Sequence, residues 1–145
     1  MEWYTAAERF TEALASSDPT PGGGAAAALT GAMGCALAMM AVGTTLKRKA
    51  TPEELRPRLT QSLKRLTAFK TELKAYIQKD GDAYAAYLTA CKLPKDAPER
   101  EKAVQDALLF AARVPADAAS AAMHCLREVD HIKGDVADII LSDVA

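Results

Sequence analysis

Eighteen consecutive residues, Ala25–Val42, carry no charge, and they follow directly on Pro19-Thr20-Pro21-Gly22-Gly23-Gly24. Such a run has to leave water, either in a bilayer or inside a protein. Its strong apolar groups are Leu29, Leu37, Val42 and three methionines, and the remainder is mostly alanine and glycine. That is thin for a membrane span. The small residues Ala27, Gly31 and Cys35 instead suit close helix packing within a protein. The run therefore predicts a helix from about 24 to 46, apolar on all sides and central in its fold.

Around it the signals are helical throughout. Trp3, Ala7, Phe10 and Leu14 follow 4-3-4 spacing and predict a first amphipathic helix ending near Ser16-Ser17-Asp18-Pro19. Thr51, Pro52 and Glu54 read as a capping box with proline in the first turn, and Pro57 should kink or delay the helix that follows. Leu55, Leu59, Leu63, Leu66, Phe69, Leu73 and Ile77 form one stripe. Its phase continues through Asp80 to Tyr84, Tyr87, Leu88 and Cys91 without breaking at Gly81, which predicts one long helix from about 55 to 91. Asp96, Pro98 and Glu99 read as a second cap, Pro115 as a further start or kink, and helical spacing runs on to about His131. Runs of alternating β-branched residues are missing. The expected fold is all-α, an antiparallel helical bundle in a single domain spanning 1–145.

Composition narrows the function. Eighteen Lys and Arg against nineteen Asp and Glu leave no basic field for nucleic acid, and 6% aromatic residues offer few stacking platforms. Three cysteines with no C-x-x-C pair fit a reducing, cytoplasmic setting. The N-terminus has Glu2 where a signal peptide would be basic. Neither nucleic acid nor membrane is an expected partner.

Two features point to chemistry. Gly22, Gly23 and Gly24 permit positive φ and close approach of a ligand, and the helix behind them offers free N–H groups and a positive dipole end. The stretch lacks the G-K-[ST] ending of a phosphate loop and follows a helix rather than a strand. Asp80 stands on an apolar stripe. From the residues alone it either serves an ion pair or inter-helix hydrogen bond, with Lys79 or an arginine, or works as a general acid/base. His124, His131 and Cys125 lack further ligands at metal spacing, so no metal is expected. Cys35 and Cys91 read as core, and Lys47, Arg48 and Lys49 as cations at a helix C-terminus.

The stretch LASSDPTPGGGAAAALTGAMGCALAMMAVGTT resembles the start of the formiminotetrahydrofolate cyclodeaminase and methenyltetrahydrofolate cyclohydrolase family. KDGDAYAAYLTACKLPK, EREKAVQDALLFAARVP and KGDVADIILSDVA are similar to that family's later segments, in the same order. The resemblance implies a helical bundle that dimerises, with a folate site near the subunit interface and a tetrahydrofolate derivative as substrate rather than as a tightly bound cofactor. By motif, Asp80 falls on the family's acid/base aspartate and Gly22, Gly23 and Gly24 on its glycine turn. Arg100, Gln105 and Asp143 fall on further substrate-side positions. The implied activity is formimidoyltetrahydrofolate cyclodeaminase, with methenyltetrahydrofolate cyclohydrolase as the alternative and a non-catalytic folate-binding or structural dimer as the second. Departures are Ala25 in place of a Ser or Thr, Asp135 in place of an Asn, and an end at Ala145 that implies the family's C-terminal helices are lacking.

Overall fold

The computed structural model describes residues 2–143, with side chains through Leu141. Four helices follow one another: α1 (Glu2–Ala15), α2 (Gly23–Lys47), α3 (Arg56–Cys91) and α4 (Arg100–Ile132). Two 3-10 segments, Glu53–Leu55 and Asp138–Asp143, complete the described chain, which contains no strand. The all-α antiparallel expectation holds.

The long central helix is α3. Its buried positions repeat every seven residues in two rows, Leu59, Leu66 and Leu73 in one and Ser62, Tyr76, Ala83 and Ala90 in the other. A seven-residue repeat keeps a helix seam facing its neighbour, and two seams face two neighbours. Accordingly α3 packs along both α2 and α4, whereas α2 and α4 touch each other sparingly. This corrects the expectation that the alanine-rich helix would be central. One face of α2, with Ala25, Ala28, Ala32, Cys35, Ala38 and Val42, is buried, but Met33, Leu37 and Met40 on another face are about half exposed. By length and hydropathy α2 could cross a membrane, yet part of it is buried against protein.

Small residues set how near α2 lies to α3. A Cβ on Gly31 would stand 3.3 Å from both Leu73 methyl groups, tighter than ordinary packing. Full burial of leucines such as Leu59, Leu66 and Leu73 contributes about 1.5–3 kcal/mol each.

Several caps differ from the sequence reading. Thr51 does not open a helix. Its hydroxyl donates to the Thr45 carbonyl, and Glu54 lies exposed in the 3-10 turn. Arg56 donates to the carbonyls of Leu46 at 2.8 Å and Arg48 at 3.0 Å, so one guanidinium closes the end of α2. Lys47, Arg48 and Lys49 stay exposed. Pro57 does delay α3, which begins at Arg56 with the proline in its first turn. The Asp96 cap is absent, and Lys92–Glu99 is instead a pair of turns in which Ala97 N–H meets Pro94 O and Arg100 N–H meets Ala97 O. Pro115 neither starts nor ends a helix, because α4 runs through it unbroken between buried Val114 and Ala121.

The register of α3 against α4 is fixed by polar pairs. Arg65 donates to both oxygens of Glu128, at 2.7 and 2.9 Å, and its Nη2 also lies 3.4 Å from Ser62 Oγ. Arg58 donates to the His131 carbonyl and pairs with Asp135 Oδ2 at 3.1 Å. Phe69 stacks on His124 with ring centroids 5.9 Å apart. Thr45 accepts the Ala137 N–H at 3.0 Å and so docks the segment after α4.

Burial works against the Glu128 carboxylate, but hydrogen bonds from Arg65 and Ser62 outweigh it and hold the carboxyl below its ordinary value. A lowered folded-state value means that the stabilisation is present at neutral pH and fades as pH falls through it. Glu128→Gln should therefore cost about 1–2 kcal/mol in urea unfolding at pH 7. The gap between variant and wild type should close as pH falls below the ordinary glutamate range. A gap that does not change with pH would mean the ion pair contributes nothing.

Candidate active site

The first turn of α2 lies against α3 at Asp80. Gly22 is the N-cap residue, with φ −107° and ψ −168°, and has no side chain to cap with. The capping oxygen comes from another helix. Asp80 Oδ2 accepts the Ala25 N–H at 3.1 Å. An N-terminal N–H that precedes the intrahelical ladder is a donor in need of an acceptor, and the positive end of the helix dipole favours a carboxylate there. The inter-helix hydrogen bond expected for Asp80 is thus present, with the backbone as its partner. Lys79 turns away and lies over the Tyr76 ring, 4.6 Å from its centroid.

The glycines have distinct reasons. Among the described residues no glycine has positive φ, so the turn does not use their backbone freedom. Gly24 is required for space. A Cβ there would overlap Asp80 Oδ1 and stand 2.7 Å from Cγ. A Cβ on Gly22 would sit 3.4 Å from Asp80 Oδ2, in ordinary contact, and one on Gly23 would meet nothing within 4 Å. The Pro19–Pro21 turn runs close by, with Thr20 Cγ2 at 4.0 Å from where a Gly81 Cβ would be. The space beside the glycine turn is occupied first by the protein's own carboxylate.

Asp80 is half-buried, and Ala25 is 1% exposed, so this corner is partly screened from water. A carboxylate here can accept a proton or hydrogen bond through the lone pairs that Ala25 leaves free. The N–H groups of Gly23 and Gly24 precede the first intrahelical bond, Ala26 N–H to Gly22 O, and point out of the same helix end.

The structure does not bring the other sequence-predicted residues to this corner within one protomer. The pairs Arg65–Glu128, Phe69–His124 and Arg100–Leu93 set an antiparallel register that places Asp80 level with Arg113. Gln105 is then about 12 Å and Arg100 about 20 Å further along α4, at 1.5 Å per residue. Arg100 Nε donates to the Leu93 carbonyl at 3.2 Å and braces the turn between α3 and α4. Gln105 is exposed beside Leu108 and Leu109. The side chain of Asp143 lies outside the described residues. Tyr84 and Leu88, expected on the buried stripe, are 37% and 39% exposed because α2 starts level with Asp80 and does not run alongside them. Cys91, read as core, is only half-buried at the end of α3.

Sequence reasoning missed Ala25 as a site residue. Its role is carried by a backbone N–H, and the only available signal was position three after an N-cap glycine. A cavity of about 660 Å³ lies elsewhere, between α2 and α4. Chemistry and enclosed volume therefore do not coincide within one chain.

Gly24→Ala should displace Asp80 and break its bond to Ala25. It is expected to destabilise the protein by about 1–2 kcal/mol in denaturant titration, the cost of losing a helix N-cap. Gly23→Ala, with open space around it, should be neutral or slightly stabilising. Equal effects at the two positions would refute the steric role of Gly24.

The family model for formiminotransferase-cyclodeaminase matches residues 6–145. A methenyltetrahydrofolate cyclohydrolase of Methylorubrum extorquens is 40% identical over 112 residues, which make up 74% of this chain and 53% of that protein. A formimidoyltransferase-cyclodeaminase of Sus scrofa is 37% identical over 110 residues, 73% of this chain and 20% of that protein. The crystal structure of a formiminotetrahydrofolate cyclodeaminase from Thermotoga maritima superposes with a TM-score of 0.82 at 28% identity, covering 94% of this chain and 66% of that one. This chain thus spans about half of the first relative and a fifth of the second. With nearly its whole length matched in sequence, and its helices in shape, the chain belongs to the formiminotransferase-cyclodeaminase family.

Proposed function

We propose that this chain acts in folate one-carbon chemistry as a formimidoyltetrahydrofolate cyclodeaminase, with Asp80 as its general acid/base. The observation that carries the reading is the Asp80 carboxylate, half-buried and held against the glycine-rich first turn of α2. In the reaction N10 of the folate attacks the formimino carbon held on N5. A five-membered ring closes, the bond from that carbon to the formimino nitrogen breaks, and ammonia leaves with the methenyl product. One proton must leave N10 and another must reach the departing nitrogen. Asp80 takes the first and returns it to the second. The free N–H groups of the α2 first turn offer hydrogen bonds to the substrate's polar edge.

A second reading, methenyltetrahydrofolate cyclohydrolase, is favoured by the 40% identity to such an enzyme. There water attacks the methenyl carbon and the ring reopens, with the same carboxylate accepting the proton from water. Ammonia release from formimidoyltetrahydrofolate and loss of methenyl absorbance distinguish the two.

The site is proposed to be completed by a second copy. In one protomer the corner at Asp80 lies outside the cavity between α2 and α4, and Arg100 and Gln105 lie too far along α4 to reach it. Apolar surface is available for pairing. No residue of α1 is buried, Trp3 is 79% exposed, and Met33, Leu37 and Met40 line one open face of α2. The proposed cytoplasmic setting rests on the cysteine usage noted above.

Asp80→Asn keeps an oxygen for the Ala25 N–H but cannot carry the proton. It should lower kcat by about 10²-fold or more while leaving the melting temperature and substrate affinity near wild type. Full rate in whichever assay is active would remove Asp80 from the chemistry. No turnover of either substrate by the wild type would favour the remaining reading, a non-catalytic helical dimer. Light scattering should give twice the 15.4 kDa protomer mass, and Leu37→Glu, on the open α2 face, should shift it to one.

A further inference from the structure

The seam of α3 that faces α2 continues past the start of α2. Leu59, Leu66 and Leu73 lie on it, each at most 1% exposed, and Leu73 is the residue that Gly31 of α2 approaches. Seven residues on, Asp80 meets the first turn of α2 through the Ala25 N–H. Because α2 runs back from Asp80 toward Leu73, its open N-terminal end points along α3 the other way. The next residue on that face is Tyr84, 37% exposed, followed by Leu88, 39% exposed. Residues four apart share a helix face and stand about 6 Å apart along the axis.

Three groups of different chemistry therefore border one open space. They are the Asp80 carboxylate, the N–H groups of Gly23 and Gly24 that precede the first intrahelical bond, and the phenol ring of Tyr84. Tyr76, one turn before Asp80, is not equivalent. It is 6% exposed, and Lys79 lies over its ring.

We propose, on the folate reading above, that Tyr84 seats the aminobenzoyl ring of the substrate and so fixes which way the folate lies at Asp80. That ring is bonded directly to N10, the nitrogen whose proton Asp80 takes. A base has to come within about 2.6–3.2 Å of the group it deprotonates. The ring on N10 then rests within about one helical turn of Asp80, which is where Tyr84 stands. An aromatic ring has no hydrogen-bonding edge of its own and packs well on another, offset or edge-on with centroids about 4.5–7 Å apart. The pterin has donors and acceptors along its edge and takes the N–H end of α2. The reverse orientation would set that polar edge on a phenol face and leave the N–H groups against hydrocarbon.

Tyr84→Ala and Tyr84→Phe test this in the full chain. Tyr84 is exposed, so both variants should melt as the wild type does. In whichever assay is active, Tyr84→Ala should raise KM about tenfold with kcat near wild type, the loss expected for one stacked ring. Tyr84→Phe should keep the wild-type KM. Of two competitive inhibitors, p-aminobenzoylglutamate should weaken in Tyr84→Ala as KM rises, and 6-methyltetrahydropterin should not. The reverse pattern would place the pterin on Tyr84 and overturn the proposal. So would an unchanged KM in Tyr84→Ala, or an equal rise in Tyr84→Phe. A fall of the light-scattering mass in Tyr84→Ala would assign this face to subunit pairing and overturn it as well. Calorimetric titration with 5,10-methenyltetrahydrofolate separates this proposal from the acid/base role of Asp80. Binding that weakens about tenfold in Tyr84→Ala, in a protein that turns over neither substrate, would leave the ring seat standing and remove the chemistry from Asp80.

Discussion

One hydrogen bond between helices, from the Ala25 N–H to Asp80 Oδ2, ties the start of α2 to the middle of α3. It stands in for the side-chain cap that Gly22 cannot provide. It also fixes where the carboxylate points, because Oδ1 occupies the space that a Cβ on Gly24 would take. Helix end, glycine and carboxylate depend on one another. A larger residue at 24 pushes the acid away, and without the acid the first turn loses its acceptor.

The same economy of side-chain size governs the rest of α2. Alanine, glycine and cysteine on the inner face let α2 lie close to α3, and Gly31 against Leu73 marks how close. The two seams belong to α3, whose buried positions recur at seven residues on both sides. That is why the more charged helix is central and the charge-free one flanks it. Charge on α3 is accommodated by polar pairing at the seam, as where Arg65 grips Glu128. The apolar surface left on α2 has no cover within the protomer, and the same holds for Trp3 on α1.

The order of the helices and the bounds of α2 and α3 were legible in the sequence, because the 3.6-residue spacing of Leu55 to Ile77 survives wherever side chains face a neighbour. The unbroken passage through Gly81 and the place of Asp80 on that stripe were legible for the same reason. What was not legible depends on three-dimensional neighbours. Thr51 and Glu54 have the spacing of a capping box, yet the Thr45 carbonyl outcompetes the local helix for the threonine hydroxyl. The role of Arg56 as a cap for α2 requires knowing that the chain reverses between Lys47 and Arg56. Central and flanking positions were exchanged because a charge-free run such as Ala25–Val42 tells how much apolar surface a helix has, not how many partners it meets. At the site, the glycines were legible as a demand for closeness, but the atom that comes close was not. It is a carboxylate from position 80, not the backbone twist that three glycines suggest.

That identity bears on how the proposed chemistry can work. A carboxylate with one oxygen committed to a backbone N–H cannot swing freely between two proton sites. The substrate has to present N10 and the departing nitrogen in turn to the same small region beside Gly24. Ring closure does this naturally, because both nitrogens are bonded to the one carbon at the moment of transfer and so lie within a short distance of each other. The acid needs only to be held still there, and the backbone of α2 holds it. What it lacks in a single chain is a far wall. The Asp80 corner lies away from the cavity between α2 and α4, and further along α4 Arg100 is engaged with the Leu93 carbonyl while Gln105 is exposed. In the proposed dimer a second copy would supply such a wall without any change in the backbone that fixes Asp80. On that proposal the geometry of proton transfer is set within one protomer, while confinement of the substrate is left to assembly.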